Sequence, residues 1–176
     1  IEVINILFDS VDKLKLKDNC NLIFLVSSTT IMDLIMKKYK NNYYEDIKRN
    51  MVNLDQDNIN KLDIPLEEKD LLNDILYTRG DPNEVIDKLS YLYGNNKVLS
   101  DLRYLFDTIL PIAKKYKIQI QLDPTFQPHL NLYEGIVFQL ICEKDREKSI
   151  IAKGGRYDEL VRFFNPKEKY PTGLGF

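Results

Sequence analysis

Leu132-Tyr133-Glu134-Gly135-Ile136-Val137-Phe138-Gln139, followed by Lys153-Gly154-Gly155-Arg156-Tyr157-Asp158 and then Thr172-Gly173-Leu174-Gly175-Phe176, says most about how the chain folds. In the first stretch a phenol precedes a glycine, and an apolar run rich in strand formers begins there, which reads as a buried strand. In the second, a Gly-Gly at the end of a neighbouring strand lets two backbones, or a backbone and a ligand, approach closely. Arg156, Tyr157 and Asp158 then place a cation, a phenol and a carboxylate within one turn. Five of the seven glycines fall between Gly135 and Gly175, so the unusual backbone demands are concentrated here. The set suits a small zwitterion with a polar side chain, an amino acid. A purely structural reading stands beside it, because Gly-Gly joins many strands to helices and an Arg–Asp pair two residues apart is commonly a local salt bridge.

Outward from this segment, Ile118, Ile120 and Leu122 alternate with Lys117, Gln119 and Gln121, the pattern of a half-buried strand. Gly135 to Cys142 gives a second strand, Glu143 to Lys148 a turn, and Ser149 to Ala152 the start of a third, so the last two form a hairpin. Tyr157, Leu160, Val161 and Phe164 then read as one or two helical turns. At the other end, Val3, Ile4, Leu7, Phe8, Val11 and Leu14 lie at helical spacing, and Asn21 to Val26 reads as a buried strand. The Ser27-Ser28-Thr29-Thr30 cluster offers N-cap hydroxyls, with Thr30 and Asp33 at capping-box spacing and a helix through Lys40.

From Asn41 to Ile112 the pattern is helical throughout. Stripes at Tyr44, Ile47, Met51 and Leu54, and at Leu71, Leu72, Ile75 and Leu76, mark two helices, with Pro65 suited to a first turn. Asp81-Pro82-Asn83-Glu84 is a clean helix start, and Gly94 a suitable left-handed end. A further helix begins near Ser100, buries Leu102, Leu105, Phe106 and Ile109, and is kinked at Pro111. The expected architecture is therefore α+β in three parts: residues 1–40 as helix, strand and helix, residues 41–116 as a helical subdomain packed on itself, and residues 117–176 as the strands that carry the site.

Composition narrows the function classes. A chain of 176 residues with 44% hydrophobic and 30% charged residues is of the soluble globular class, and a net charge of −2 without a basic run gives nucleic-acid binding no support. No apolar stretch approaches the roughly 20 residues of a membrane span, and no signal peptide is evident, so a cytoplasmic location is expected. The single histidine, His129, rules out a zinc site of ordinary spacing, and any His-dependent nucleophilic triad would run through it. Cys20 and Cys142, each in or beside an apolar stretch, read as two reduced core thiols. The chain starts at Ile1 without methionine and stops at Phe176 after a Gly-rich approach, which reads as a fragment.

The order Leu-Tyr-Glu-Gly-Ile-Val-Phe, then Gly-Gly-Arg-Tyr-Asp-Glu-Leu, then Thr-Gly-Leu-Gly-Phe resembles the histidyl-tRNA synthetase lineage of class II synthetase folds. The resemblance covers nearly the whole chain and is strongest over Leu122–Phe176. It implies an antiparallel sheet of class II aminoacyl-tRNA-synthetase type, present in part, with an inserted helical subdomain, the class-defining motifs lying before Ile1 and around or beyond Phe176. Carried over residue by residue, it implies that Tyr133 and Tyr157 face bound histidine, with Gly154 and Gly155 keeping the floor clear and Gly135 among the ligand-binding positions. Gln127, Arg156 and Asp158 fall in supporting positions, and Glu134 sets a charge beside the cleft.

Synthetases of this lineage carry Arg-Gly-Leu-Asp-Tyr-Tyr-Thr-Gly before the strand, the arginine stabilising charge on the activated amino acid. The matching residues here run from Pro128 through His129, Leu130 and Asn131 to Gly135, and proline has neither the charge nor a donor. The lineage's closing Glu of that strand is Gln139. The segment Leu122-Asp123-Pro124-Thr125-Phe126-Gln127-Pro128 looks instead like the lineage's other branch, the regulatory subunit of ATP phosphoribosyltransferase. That branch implies no catalytic residue, cofactor or metal in this chain, histidine as a regulatory ligand, the short-form catalytic subunit as partner, and a homodimer within a larger hetero-oligomer. A histidyl-tRNA ligase with a divergent site is the alternative, and an unrelated helical interaction module is a third.

Overall fold

The structure is a computed structural model that describes residues 1–39, 43–128 and 132–176, so His129, Leu130 and Asn131 lie outside the described residues. Strand β1 (Asn21–Ser28) is apolar and buried almost end to end, with both its edges paired. On one edge it pairs in parallel with β2 (Ile118–Leu122), Leu22 opposite Ile118 and Val26 opposite Leu122. On the other it pairs antiparallel with β3 (Ile136–Lys144), Val26 opposite Phe138. β4 (Glu147–Arg156) returns antiparallel along β3, and β5 (Leu174–Gly175) pairs with Gly155 and Arg156, so the described strands run in the order β2-β1-β3-β4-β5.

The sheet is antiparallel from β1 to β5, as expected, and gains a parallel neighbour at β2. A parallel pair needs a long crossover, and the helical stretch between Ser28 and Ile118 provides it. Alternation of apolar and polar residues reveals a strand but not its direction. The hairpin turn is tighter than the expected Glu143–Lys148: both strands extend inward and only Asp145 and Arg146 turn, at φ 51° and 71°. Positive φ at both central residues is the geometry whose twist matches a two-residue hairpin.

Helix α1 (Glu2–Lys13) buries Ile4, Leu7, Phe8 and Val11. Helix α2 (Thr29–Met36) is capped by Ser28, whose hydroxyl accepts from the Thr30 amide at 3.3 Å. The cap is thus Ser28 and not Thr30, Asp33 stays exposed, and the helix ends at Met36, short of Lys40. α3 (Tyr44–Val52), α4 (Gln56–Lys61) and α5 (Leu66–Leu76) follow, with Pro65 just before α5. Asp81 caps α6 (Pro82–Tyr93), accepting from the amides of Asn83 and Glu84 at 2.9 and 3.3 Å. α7 (Lys97–Tyr116) starts three residues before the expected Ser100, because Asn96 accepts from the Leu99 amide and caps it there. Pro111 sits within α7, and α8 (Asp158–Phe164) is the last helix described.

The helices of 41–116 do not keep a core to themselves. Ile47, Met51, Ile59, Leu72, Ile75, Ile86, Leu89 and Phe106 belong to the same buried cluster as Phe24, Val26, Ile120 and Leu140 of the sheet. Stripes that look too narrow for more than self-packing are wide enough to cover one sheet face.

The cysteine expectation is corrected. Cys20 and Cys142 form a disulfide between residues 122 positions apart, with Cα atoms 5.7 Å apart. Cys20 directly precedes β1, and Cys142 pairs with Leu22, so the β1–β3 register carries the two Cβ atoms into bridging range. Both residues are half-buried, not in the core. A sequence separation of this size hides a proximity that only strand register creates.

Candidate functional site

Side chains alternate across a strand, so Gly154 and Gly155 serve opposite faces of the sheet. Gly154 pairs with Phe138 on the helix-covered face, where the Phe24 and Phe138 rings lie 4.9 Å apart. A Cβ at Gly154 would come within 2.6 Å of the Phe138 ring and 2.8 Å of the Phe176 Cβ, and would also collide with the Gly175 carbonyl. This glycine serves packing. Gly155 faces the other way: a Cβ there would meet the Tyr133 ring at 2.7 and 3.1 Å and the Ile136 carbonyl at 2.8 Å.

Gly155 pairs with Gly175, and a Cβ at Gly175 would sit 2.7 Å from the Tyr157 hydroxyl. At Gly173 a Cβ would press into the Tyr157 ring and carbonyl. Paired residues point to one face and adjacent strands lie about 4.8 Å apart, so Tyr133 and Tyr157 occupy neighbouring positions on the face away from the helices. Both are half-buried. The structure therefore brings together Tyr133, Gly155 and Tyr157 of the expected set, and adds Gly173 and Gly175, which the third sequence stretch contained but which had been given no role.

Main-chain and carboxylate bonds hold the two phenols in this arrangement. The Glu134 amide donates to the Arg156 carbonyl at 2.7 Å, and the Tyr157 amide to the Gly173 carbonyl at 2.8 Å. Asp158 accepts from the Gly173 amide at 3.0 Å and from Arg156 Nε at 2.7 Å. Burial pushes the Asp158 carboxyl upward, but the Gly173 amide and the Arg156 guanidinium together hold it below the usual carboxylate value. Arg156 and Asp158 thus brace the turn. Glu134 is placed as well: its Oε1 accepts from the Glu159 amide at 3.2 Å, capping α8, whose own N-cap residue Tyr157 offers no side-chain cap.

Gly135 and Gln127 secure the approach to the strand and lie apart from the phenols. Gly135, at φ 75°, donates its amide to Thr29 Oγ1 at 2.8 Å while its carbonyl accepts from the Thr29 amide at 2.9 Å. This reciprocal clasp escaped the sequence reading, where Thr29 figured only as one of four possible caps. With Arg156, Ser28 and Thr30, Gly135 lines a cleft of ≈ 410 Å³ on the helix side of the sheet. Gln127 is buried and donates its amide to the Ser28 carbonyl at 3.2 Å and towards Ser27 Oγ at 3.4 Å. Pro128 lines a separate cleft of ≈ 260 Å³ with Val52, Leu54 and Phe126. No helix among the described residues is long and apolar enough to cross a membrane.

Comparison with known proteins bears on this geometry. The profile of the family described as histidyl-tRNA synthetase matches residues 1–176. An ATP phosphoribosyltransferase regulatory subunit from Prochlorococcus marinus subsp. pastoris is 60% identical over 176 residues, covering 100% of this chain and 46% of the relative. One from another Prochlorococcus marinus strain is 44% identical, with 100% and 45% covered. The chain thus spans about half the length of the curated relatives it matches.

Among solved structures, an ATP phosphoribosyltransferase regulatory subunit/histidyl-tRNA synthetase from Bacillus halodurans superposes with a TM-score of 0.74 at 20% identity, over 90% of this chain and 42% of that one. Histidyl-tRNA synthetase from Nostoc sp. PCC 7120 gives 0.66 at 17%, over 85% and 38%. The ATP phosphoribosyl transferase (HisG:HisZ) complex from Thermotoga maritima gives 0.61 at 16%, over 79% and 49%. At such identities these likenesses concern the fold alone.

Proposed function

Because the chain belongs to the histidyl-tRNA synthetase family, we propose that it is part of a regulatory subunit of ATP phosphoribosyltransferase, the first enzyme of histidine biosynthesis, and performs no aminoacylation itself. The observation that carries the reading is the 60% identity, over all 176 residues, to a Prochlorococcus regulatory subunit. Pro128 at the position of the lineage's charge-stabilising arginine supports it, since losing such a group costs on the order of 10²–10³ in rate.

The pocket reading goes with it. Tyr133 and Tyr157, set over the paired Gly155 and Gly175, form a two-phenol wall for histidine, whose ring nitrogens accept or donate one hydrogen bond each. Arg156 and Asp158 brace the wall, while Gly135 and Gln127 secure the start of the strand and Gly154 packs on the opposite face. The partner is the short-form catalytic subunit, joined with regulatory dimers in a hetero-oligomer in the cytoplasm, and histidine is the regulatory ligand. Adding the intact protein to that catalytic subunit is expected to stimulate phosphoribosyl transfer from phosphoribosyl pyrophosphate to ATP. Absence of stimulation sinks the proposal.

The family profile favours one rival, a histidyl-tRNA ligase with a divergent site. Histidine-dependent pyrophosphate exchange by the intact protein would establish that rival in place of the regulatory reading.

A further inference from the structure

The face that carries the two phenols holds one more chemical group with no task. Lys153 lies two residues before Gly155 on β4, so its side chain leaves the sheet on the same face as Tyr133 and Tyr157. It pairs across the ladder with Gln139, just as Gly155 pairs with Val137, and it is exposed. Two residues along a strand span about 6.6 Å, a distance that an extended lysine side chain covers. Its ammonium can therefore reach the edge of the Tyr133 ring, which covers Gly155.

The nearest neighbours on that face are uncharged: Val137, Gln139, Gly155, Gly175 and the two tyrosines, and Glu143 and Lys148, farther along the hairpin on the same face, pair with each other. The nearby carboxylates have other work. Glu134 accepts from the Glu159 amide, and Asp158 from the Gly173 amide and from Arg156. Arg156 itself, one residue before Tyr157, leaves the sheet on the opposite face and is tied to Asp158. Lys153 makes no ion pair or hydrogen bond among the described residues. An unpaired cation whose nearest neighbours on the face are uncharged, beside two phenols, is a place for an anion with an aromatic or polar body.

We infer that Lys153 is the group that binds the α-carboxylate of the amino acid held between Tyr133 and Tyr157. The inference rests on the histidine-pocket reading above and adds what that reading lacks, the recognition of the acid end of the ligand. It also makes the site selective. An imidazole amine without a carboxylate gains the phenols and nothing from Lys153, whereas histidine gains a charge-assisted hydrogen bond, the stronger kind.

Isothermal titration of the intact protein with histidine and with histamine tests this. The wild-type chain is expected to bind histidine roughly tenfold or more tighter than histamine, the margin of one hydrogen bond to a charged group. Lys153→Gln should bring histidine down to the affinity of histamine and leave histamine unchanged, and Lys153→Arg should keep most of the preference. Position 153 is exposed, so folding is not at stake, and an unchanged melting temperature confirms this. If Lys153→Gln leaves the histidine-to-histamine ratio as in wild type, the assignment of Lys153 falls and the pocket stands. If the wild-type protein binds neither compound, the pocket reading falls and takes this inference with it.

Discussion

The two faces of one sheet are built to different rules. On the helix-covered face, Phe24 is fully buried against Phe8 and Phe138, with ring centroids 5.1 and 4.9 Å away, and Gly154 leaves room for the Phe138 ring. On the other, beyond Val137, Gly155 and Gly175 make room for two half-buried phenols, Gln139 is half-buried and Lys153 faces solvent. Adjacent glycines in Gly154-Gly155 therefore answer to different demands, one to packing density and one to keeping a surface open for polar rings. The helix face should register substitution in stability, and the open face in ligand affinity.

The largest effect expected is on the helix face. Phe24→Ala should cost about 3–5 kcal/mol in denaturant unfolding, the usual loss for a buried phenylalanine that leaves a cavity. A loss under about 1 kcal/mol would mean that Phe24 is not part of a close-packed layer. Next in size is the Cys20–Cys142 disulfide, which closes a loop of 122 residues at the end of β3 far from Gly135. Reduction, or Cys142→Ser, should lower stability by roughly 2–4 kcal/mol. Histidine affinity should not move, and a parallel drop in affinity would show the two ends of β3 to be coupled.

How much of this was legible in the sequence follows the same division. Residue period reveals elements, so the strands at Asn21, Ile118 and Gly135, the hairpin, and the Asp81 cap were all readable. The run of the chain between elements is not periodic, and there reading stopped: the parallel placement of β2, the shared core of the helices from 41 to 116, and the approach of Cys20 to Cys142 all depend on register and crossover. The site was legible as residue types but not as faces. Gly154 and Gly155 looked like one motif, Thr29 looked like a cap and not the clasp on Gly135, and Gly173 and Gly175 carried no sign that Tyr157 rests on them.

On the open face, Gly155→Ala is the substitution with the greatest expected effect on binding. Its methyl would meet the Tyr133 ring at 2.7 Å and the Ile136 carbonyl at 2.8 Å, and the backbone partner cannot swing aside. Overpacking of this kind costs roughly 1–3 kcal/mol, and the displaced Tyr133 should weaken histidine binding about tenfold. Tyr157→Phe is milder. It removes one hydroxyl, so affinity should fall about fivefold, near the value of one hydrogen bond, with stability within about 0.5 kcal/mol of wild type. Titration calorimetry beside thermal melts separates the two readouts, and a Tyr157→Phe that unfolds the protein without affecting affinity would place Tyr157 with the packing face.

The smallest effect concerns the brace between the faces. Asp158 has its carboxyl held below the ordinary value of 3.8, burial opposing and the Gly173 amide and Arg156 outweighing it. A group whose folded pKa is depressed contributes stability that is fully present above its unfolded pKa and is lost as pH falls through the folded one. The melting temperature of wild type minus that of Asp158→Asn should therefore be constant from pH 7 to about pH 5 and shrink below pH 4, because the protonated acid and the amide resemble each other. Since Gly173, whose amide Asp158 holds, packs against the Tyr157 ring, loosening the brace in acid should also weaken histidine binding over the same interval. Melting curves that stay parallel down to pH 3 would mean that Asp158 is solvated like any surface carboxylate and that Tyr157 keeps its place without it.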